Sequence, residues 1–160
     1  CSRNGRGTAL LHKYFEPVRI AAVDPDPNLV KLARESLAGF PVTVAQGSLT
    51  RLDYDEASFD AVFVLGELHN YPEWRDCLGE IARVTKPGGR FFIEELSAES
   101  FEYLLGRYFK TKADHRYDAM LRLGEFHDAV QSAGFEIERF EQRKPFGLFT
   151  YFIMAARKRA

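Results

Sequence analysis

The chain has 160 residues, with 22 basic and 23 acidic side chains for a formal net charge of −1, and is 46% hydrophobic and 14% aromatic. A single domain of this size buries roughly two thirds of its unfolded surface, so its 14 Phe and 7 Tyr can build a core without disulfides or a structural metal. Near-neutrality, with no run of five like charges, excludes a basic nucleic-acid binder and gives no reason to expect a membrane-surface partner.

Cys1 and Cys77 cannot form a disulfide framework, and no Cys/His cluster has zinc-ligand spacing, so no metal is expected and a cytoplasmic location is. Apolar runs such as 61–65 and 149–156 fall far short of the ~20 residues that span a bilayer, and no signal peptide is visible. The sequence opens without Met, directly on the glycine-bearing Arg3-Asn4-Gly5-Arg6-Gly7.

Short apolar runs alternate with helical patterns, which predicts an α/β fold. A helix is expected over residues 8–15, with Leu10, Leu11 and Tyr14/Phe15 at helical spacing and Pro17 as its stop. Residues 19–23 read as a buried strand. Asp24-Pro25-Asp26-Pro27 closes it and caps a helix over 28–37, whose inner side is expected to carry Leu29, Leu32 and Leu37. A short strand is expected at 41–45. Residues 59–65, apolar but for Asp60, predict a strand buried in a parallel sheet.

A helix over 72–84 starts with Pro in its first turn and lines up Trp74, Leu78, Ile81 and Val84/Thr85. Lys86-Pro87-Gly88-Gly89 then turns the chain into a strand at 90–94. Beyond Leu96 the rhythm changes: a helix is expected over 100–109, a polar connection over 111–117 and a helix over 124–133 ended by Gly134. Strands at 135–142 and 146–156, with no helix between them, are expected to pair antiparallel.

Gly5-x-Gly7 at a helix start, with Asp24 at a strand end about 20 residues on, suits an adenosine-containing ligand. Glycines let the backbone approach the ligand, and the carboxylate can accept both ribose hydroxyls. NAD, FAD and S-adenosylmethionine sites share this spacing, and Asp24 could instead simply cap the next helix.

The block Phe59-Asp60-Ala61-Val62 through Leu65-Gly66-Glu67-Leu68-His69-Asn70-Tyr71-Pro72-Glu73-Trp74, followed by Glu80-Ile81-Ala82-Arg83-Val84-Thr85-Lys86-Pro87-Gly88-Gly89-Arg90, resembles the class I S-adenosylmethionine-dependent methyltransferases. The likeness is to the small-molecule group related to the ubiquinone and menaquinone biosynthesis enzymes. It implies a Rossmann-like, doubly wound, mostly parallel sheet with helices on both faces and a C-terminal antiparallel strand pair. S-adenosylmethionine would be the cofactor and a small molecule the acceptor. The resemblance places the glycine loop at Cys1 to Gly7, the ribose acid at Asp24 followed by Pro25, and the adenine-flanking turn at Gly47-Ser48-Leu49. Leu65, Gly66, Glu67 and Leu68 would face the methionine part and the reacting methyl.

Two departures stand out. Cys1 and Arg3 take the places of the family's first two loop glycines, and Ser48 that of its usual adenine-binding aspartate. No strand precedes the glycine loop, although this fold places one at the centre of the sheet, between the strands at 19–23 and 59–65. Leaving that centre open would bury unpaired backbone groups at about 1–3 kcal/mol each. The expectation is therefore a fragment of a longer protein, or a chain in which another segment fills the gap.

His69, just beyond the fourth strand of the family pattern, is the candidate base for an acceptor that must lose a proton, with Glu67, at the carboxyl end of that strand, as a second catalytic candidate. A capping or packing His is the competing reading. Glu94 and Glu95 lie at a strand's carboxyl end, and alternation allows at most one to line a pocket. Trp74 is expected to pack its helix on the sheet. Phe101, Tyr103, Tyr108, Phe109 and Tyr117, within a possible substrate insert at 97–122, would suit an apolar or aromatic acceptor or form a satellite core. A homodimer stays open. Two other readings compete: a catalytically silent or truncated homologue acting as a partner subunit, and a nicotinamide-dependent oxidoreductase, disfavoured by the incomplete glycine motif.

Overall fold

A computed structural model describes residues 5–101, 120–144 and 150–160, and divides into two compact units, residues 1–53 and 54–160.

The first unit runs α1 (Arg6–Phe15), β1 (Ile20–Asp24), α2 (Pro27–Ser36) and β2 (Val42–Gln46). Helix α1 starts two residues earlier than its apolar pattern predicts, so Gly7 lies in its first turn and Gly5 is its N-cap. The C-cap Glu16 takes a left-handed conformation with its N–H donating to the His12 carbonyl, and Pro17 prevents continuation. Thr8 is buried on α1, whereas Leu10, Tyr14 and Phe15 are exposed.

β1 and β2 pair in parallel from Ile20↔Val42 to Asp24↔Gln46. The core against them is Ala22, Val30, Ala33, Leu37 and Val44. Helix α2 thus turns Val30, Ala33 and Leu37 inward, leaving Leu32 exposed and Leu29 half-buried. Two apolar stripes at helical spacing compete on this helix, and the stripe with the small Ala33 lies against the strands. Arg34 is fixed there too, donating from Nε and Nη2 to the Val44 carbonyl at 3.0 and 2.9 Å.

In the second unit, β3 (Phe59–Leu65) leads through a 3₁₀ turn (Leu68–Asn70) to α3 (Trp74–Val84) and β4 (Thr85–Leu96). A second 3₁₀ turn (Ala98–Phe101), α4 (Leu123–Ser132), β5 (Phe135–Arg143) and β6 (Tyr151–Lys158) complete it. The four strands form one sheet in the order β3-β4-β6-β5, parallel between β3 and β4 and antiparallel for β4–β6 and for β6–β5, the last as expected for the terminal strand pair. Among the described residues β1–β2 is a separate two-stranded sheet, and no strand pairs with both β1 and β3.

Lys86 to Gly89 belongs within β4 rather than ahead of it: the partner of Phe59 is Thr85 and that of Ala61 is already Arg90, so these residues bulge out of the ladder. Only glycine fits the close approach at Gly89, where a Cβ would come within 2.9 Å of the Lys86 carbonyl oxygen and 3.0 Å of that of Asp60. Beyond the bulge, strand alternation buries Phe91, Ile93 and Glu95 and leaves Glu94 exposed. Aromatic rings carry the packing, with Phe126 of α4 tilted against Trp74 of α3 at 5.7 Å and Phe152 of β6 at 5.5 Å. Lys158 finishes α3 by donating to the carbonyls of Ala82 and Thr85 at 2.7 and 2.8 Å.

Two stability tests follow from these contacts. Phe126→Ala removes a fully buried ring and should cost about 3–5 kcal/mol in urea unfolding. Glu138, placed by a β5 irregularity between Arg90 and Arg157, is held below the ordinary carboxylate range, first by the hydrogen bond from Arg90. A lowered folded value means this contribution is complete above the unfolded carboxylate range and fades as pH falls through the folded one. Glu138→Gln should therefore lower the unfolding midpoint at pH 7, and the difference from the parent should close on acidification.

Candidate functional site

Asp24, the last residue of β1, is 2% exposed. Its Oδ1 accepts the Asp26 N–H at 3.1 Å, while its carbonyl accepts the Gly47 N–H at 3.1 Å and so ties the carboxyl ends of β1 and β2 together. Capping of α2 falls to Asp26, whose Oδ1 accepts the Asn28 N–H at 2.8 Å, with Pro27 at the helix start. The reading of Asp24 as a mere helix cap is thereby removed: two aspartates divide the work, one for the helix and one at the strand end. The Pro25 carbonyl accepts from Gln46 Nε2 at 3.2 Å.

Gly5 needs to be glycine on two counts. Its φ is +81°, and a Cβ there would meet Leu37 Cγ at 2.9 Å. Gly7 lies inside α1 and is not among the glycines with positive φ. The first turn of α1 has neither a side-chain cap nor an acidic residue. Ser48 Oγ lies 2.8 Å from Thr50 Oγ1 and accepts the Thr50 N–H at 3.2 Å, in a tight turn bridged to Arg51. Leu49, in the same turn, is buried.

In the second unit, Leu65 ends β3 and Gly66, at φ +62°, donates its N–H to the Glu94 carbonyl at 2.7 Å, extending the ladder by one residue. Glu67 opens the 3₁₀ turn, its carbonyl accepting the Asn70 N–H at 3.0 Å. His69 sits in that turn against Glu95, with Nδ1 2.6 Å from Oε1. Glu95 is fully buried and the His69 side chain 19% exposed. The same carboxylate accepts the N–H groups of Leu68 at 2.6 Å and His69 at 3.3 Å on Oε2, and of Leu96 at 2.8 Å on Oε1. Sequence reasoning allowed at most one of Glu94 and Glu95 to line a pocket and missed this pairing. The apolar phase of Phe91 and Ile93 was the signal that selects Glu95.

The structure thus joins His69 to Glu95, and Asp24 to the turn after β2. Trp74 is 3% exposed and packs on Phe126 with the Arg75 guanidinium 4.0 Å above its ring, a structural role as expected. Residues 1–4 and the rings of Phe101, Tyr103, Tyr108, Phe109 and Tyr117 lie outside the described side chains. Among the described residues no group of His, Cys, Asp and Glu could hold a metal, and no helix is long and apolar enough to cross a membrane.

Residues 1–93 match the family model described as a methyltransferase domain. The chain is 36% identical over 94 residues to a demethylmenaquinone methyltransferase of Clavibacter sepedonicus, covering 58% of this chain and 38% of that protein. To the enzyme of the same name from Shouchella clausii it is 31% identical over 117 residues, covering 69% and 50%. The chain therefore spans half or less of the length of these relatives. Among solved structures, an S-adenosylmethionine-dependent methyltransferase from Mesorhizobium loti superimposes with a TM-score of 0.82 at 16% identity, covering 98% of this chain and 88% of that one, which shows the fold.

Cys77 makes a separate, checkable point about α3. Burial, followed by the neighbouring Asp76 charge, pushes its thiol up to about 12. In a Cys1→Ser background the folded chain should leave a thiol-disulfide reagent unconsumed at pH 8 over the time in which the urea-unfolded chain reacts fully.

Proposed function

Since the chain belongs to the methyltransferase domain family, we propose that it transfers a methyl group from S-adenosylmethionine to a small-molecule acceptor. Bound, the cofactor supplies an electrophilic methyl on a sulfonium sulfur. The chain's own work is then to bind, align and exclude water.

The observation that carries this reading is Asp24, a buried carboxylate at the carboxyl end of β1 that does not cap α2. It is the acceptor for the ribose hydroxyls, with Pro25 shaping the turn beside it. Gly5 and Gly7 bring the uncapped start of α1 to the same nucleotide-binding task. Leu49 belongs to the adenine-flanking turn. Ser48 fits less well, because its hydroxyl already serves Thr50, so adenine is held with less help from this position than the family pattern provides. Leu65 and Gly66 take the methionine side. His69 acts as base where the acceptor must lose a proton, and Glu67 stands two residues before it in the chain.

The acceptor is apolar or aromatic in this reading, with residues 97–122 lining its place. Demethylmenaquinone, after which the relatives are named, is the first acceptor to try. A silent homologue is the second reading, favoured by the hydroxyl of Ser48 being engaged within its own turn.

Thermal unfolding with S-adenosylmethionine and S-adenosylhomocysteine separates the two. A ligand that binds only the folded chain raises the midpoint, so a concentration-dependent rise is expected, and a cooperative transition that neither ligand moves would favour the silent homologue. Asp24→Ala should weaken binding by about 1.5–3 kcal/mol, roughly ten- to hundredfold in Kd by calorimetry. An unchanged Kd would remove Asp24 from the site.

A further inference from the structure

Glu95 is an anomaly of the second unit. It follows Phe91 and Ile93 onto the buried face of β4, and its carboxylate is wholly removed from solvent. Burying a carboxylate costs several kcal/mol unless it is paired and fully hydrogen-bonded. Three of its donors are backbone N–H groups: Leu68 and His69 on one oxygen, Leu96 on the other. These belong to β4 itself and to a turn anchored by Gly66 on the Glu94 carbonyl, so the carboxylate plane is held at both ends. A neutral side chain oxygen could have served the amides of the turn. What the amides do not supply is a side chain able to carry the opposite charge.

The fourth contact supplies that partner. Both oxygens of Glu95 already face backbone donors, so the carboxylate accepts and His69 Nδ1–H donates, at 2.6 Å. Fixing the proton on Nδ1 leaves the lone pair of the neutral ring on Nε2. The carboxylate also balances the charge that the ring gains on taking a second proton.

We propose that Glu95 is a positioning residue that holds His69 in the tautomer whose Nε2 takes a proton from the methyl acceptor. This rests on the methyltransferase reading for the identity of the reaction, but not for the state of the ring. In the step, the acceptor O–H or acidic C–H bond breaks and the Nε2–H bond forms. The electron pair left on the acceptor makes its bond to the methyl as the carbon–sulfur bond of S-adenosylmethionine breaks, leaving the thioether S-adenosylhomocysteine. The imidazolium then lies against the Glu95 carboxylate.

The test is long-range proton–nitrogen NMR of the full chain labelled with ¹⁵N-histidine, His69 being assigned by its loss in His69→Gln. At a pH where the ring is neutral, the parent should show a protonated Nδ1 and a bare Nε2. Glu95→Gln is nearly isosteric, yet either orientation of its amide turns an NH₂ toward N–H donors. It should shift the ratio of the two His69 tautomers by roughly tenfold or more, the equivalent of one charge-assisted hydrogen bond.

An unchanged ratio in a folded Glu95→Gln would overturn the proposal. So would a bare Nδ1 in the parent, whether or not the variant folds. Calorimetry with S-adenosylmethionine on the same sample keeps the two readings apart. A chain with the Nδ1–H tautomer, dependent on Glu95, that binds no cofactor retires the methyltransferase reading and keeps the dyad. One that binds cofactor but carries a bare Nδ1 does the reverse.

Discussion

Strand β4 is paired on both sides, in parallel by β3 and antiparallel by β6, and so cannot slip or roll without breaking two ladders at once. That constraint decides the phase of its side chains. A one-residue change of register would send Phe91 and Ile93 outward and Glu94 inward. The Gly-containing bulge at Lys86 to Gly89 absorbs the mismatch in length between β3 and β4 before this phase is set. The rest of the second unit follows: Phe91 meets Phe135 of β5, Phe152 meets Phe126 of α4, and Glu95 receives the turn that carries His69.

The same logic of divided labour holds in the first unit. A carboxylate at a strand's carboxyl end is drawn toward the nearest helix N-terminus, and Asp24 would be used up there if Asp26 did not take that place. The tetrapeptide Asp24-Pro25-Asp26-Pro27 therefore does two things that a single Asp could not: it starts α2 and it keeps a second carboxylate at the end of β1.

Much of this was legible in the sequence. The bounds of β3 read correctly because an apolar run with one charge has no helical period to compete with it, although of its residues only Val64 is buried, not the whole strand as expected; the antiparallel ending followed from the short connection between the last two strands. Family resemblance pointed to Asp24 and His69. Other features were hidden for physical reasons. Helix α2 offers two apolar stripes of similar spacing, and only packing shows that Val30, Ala33 and Leu37 win over Leu29 and Leu32. The part played by Ser48 depends on a hydroxyl two residues away, which composition does not reveal. Glu95 looked interchangeable with Glu94 because the apolar phase of Phe91 and Ile93, which selects Glu95, is offset in the sequence by Phe92 and Leu96 in the phase of Glu94.

Strand β5 lies at the rim of the four-stranded sheet and is rich in charge: Glu136, Glu138, Arg139, Glu141 and Arg143. Arg139 and Arg143 both hold Glu141, and Glu138 is held by Arg157 of the neighbouring β6 and by Arg90 of β4 beyond it. A strand from another molecule that tried to extend the sheet here would have to strip water from these ions while matching their sequence of signs. The rim is thus closed to indiscriminate growth by its own side chains.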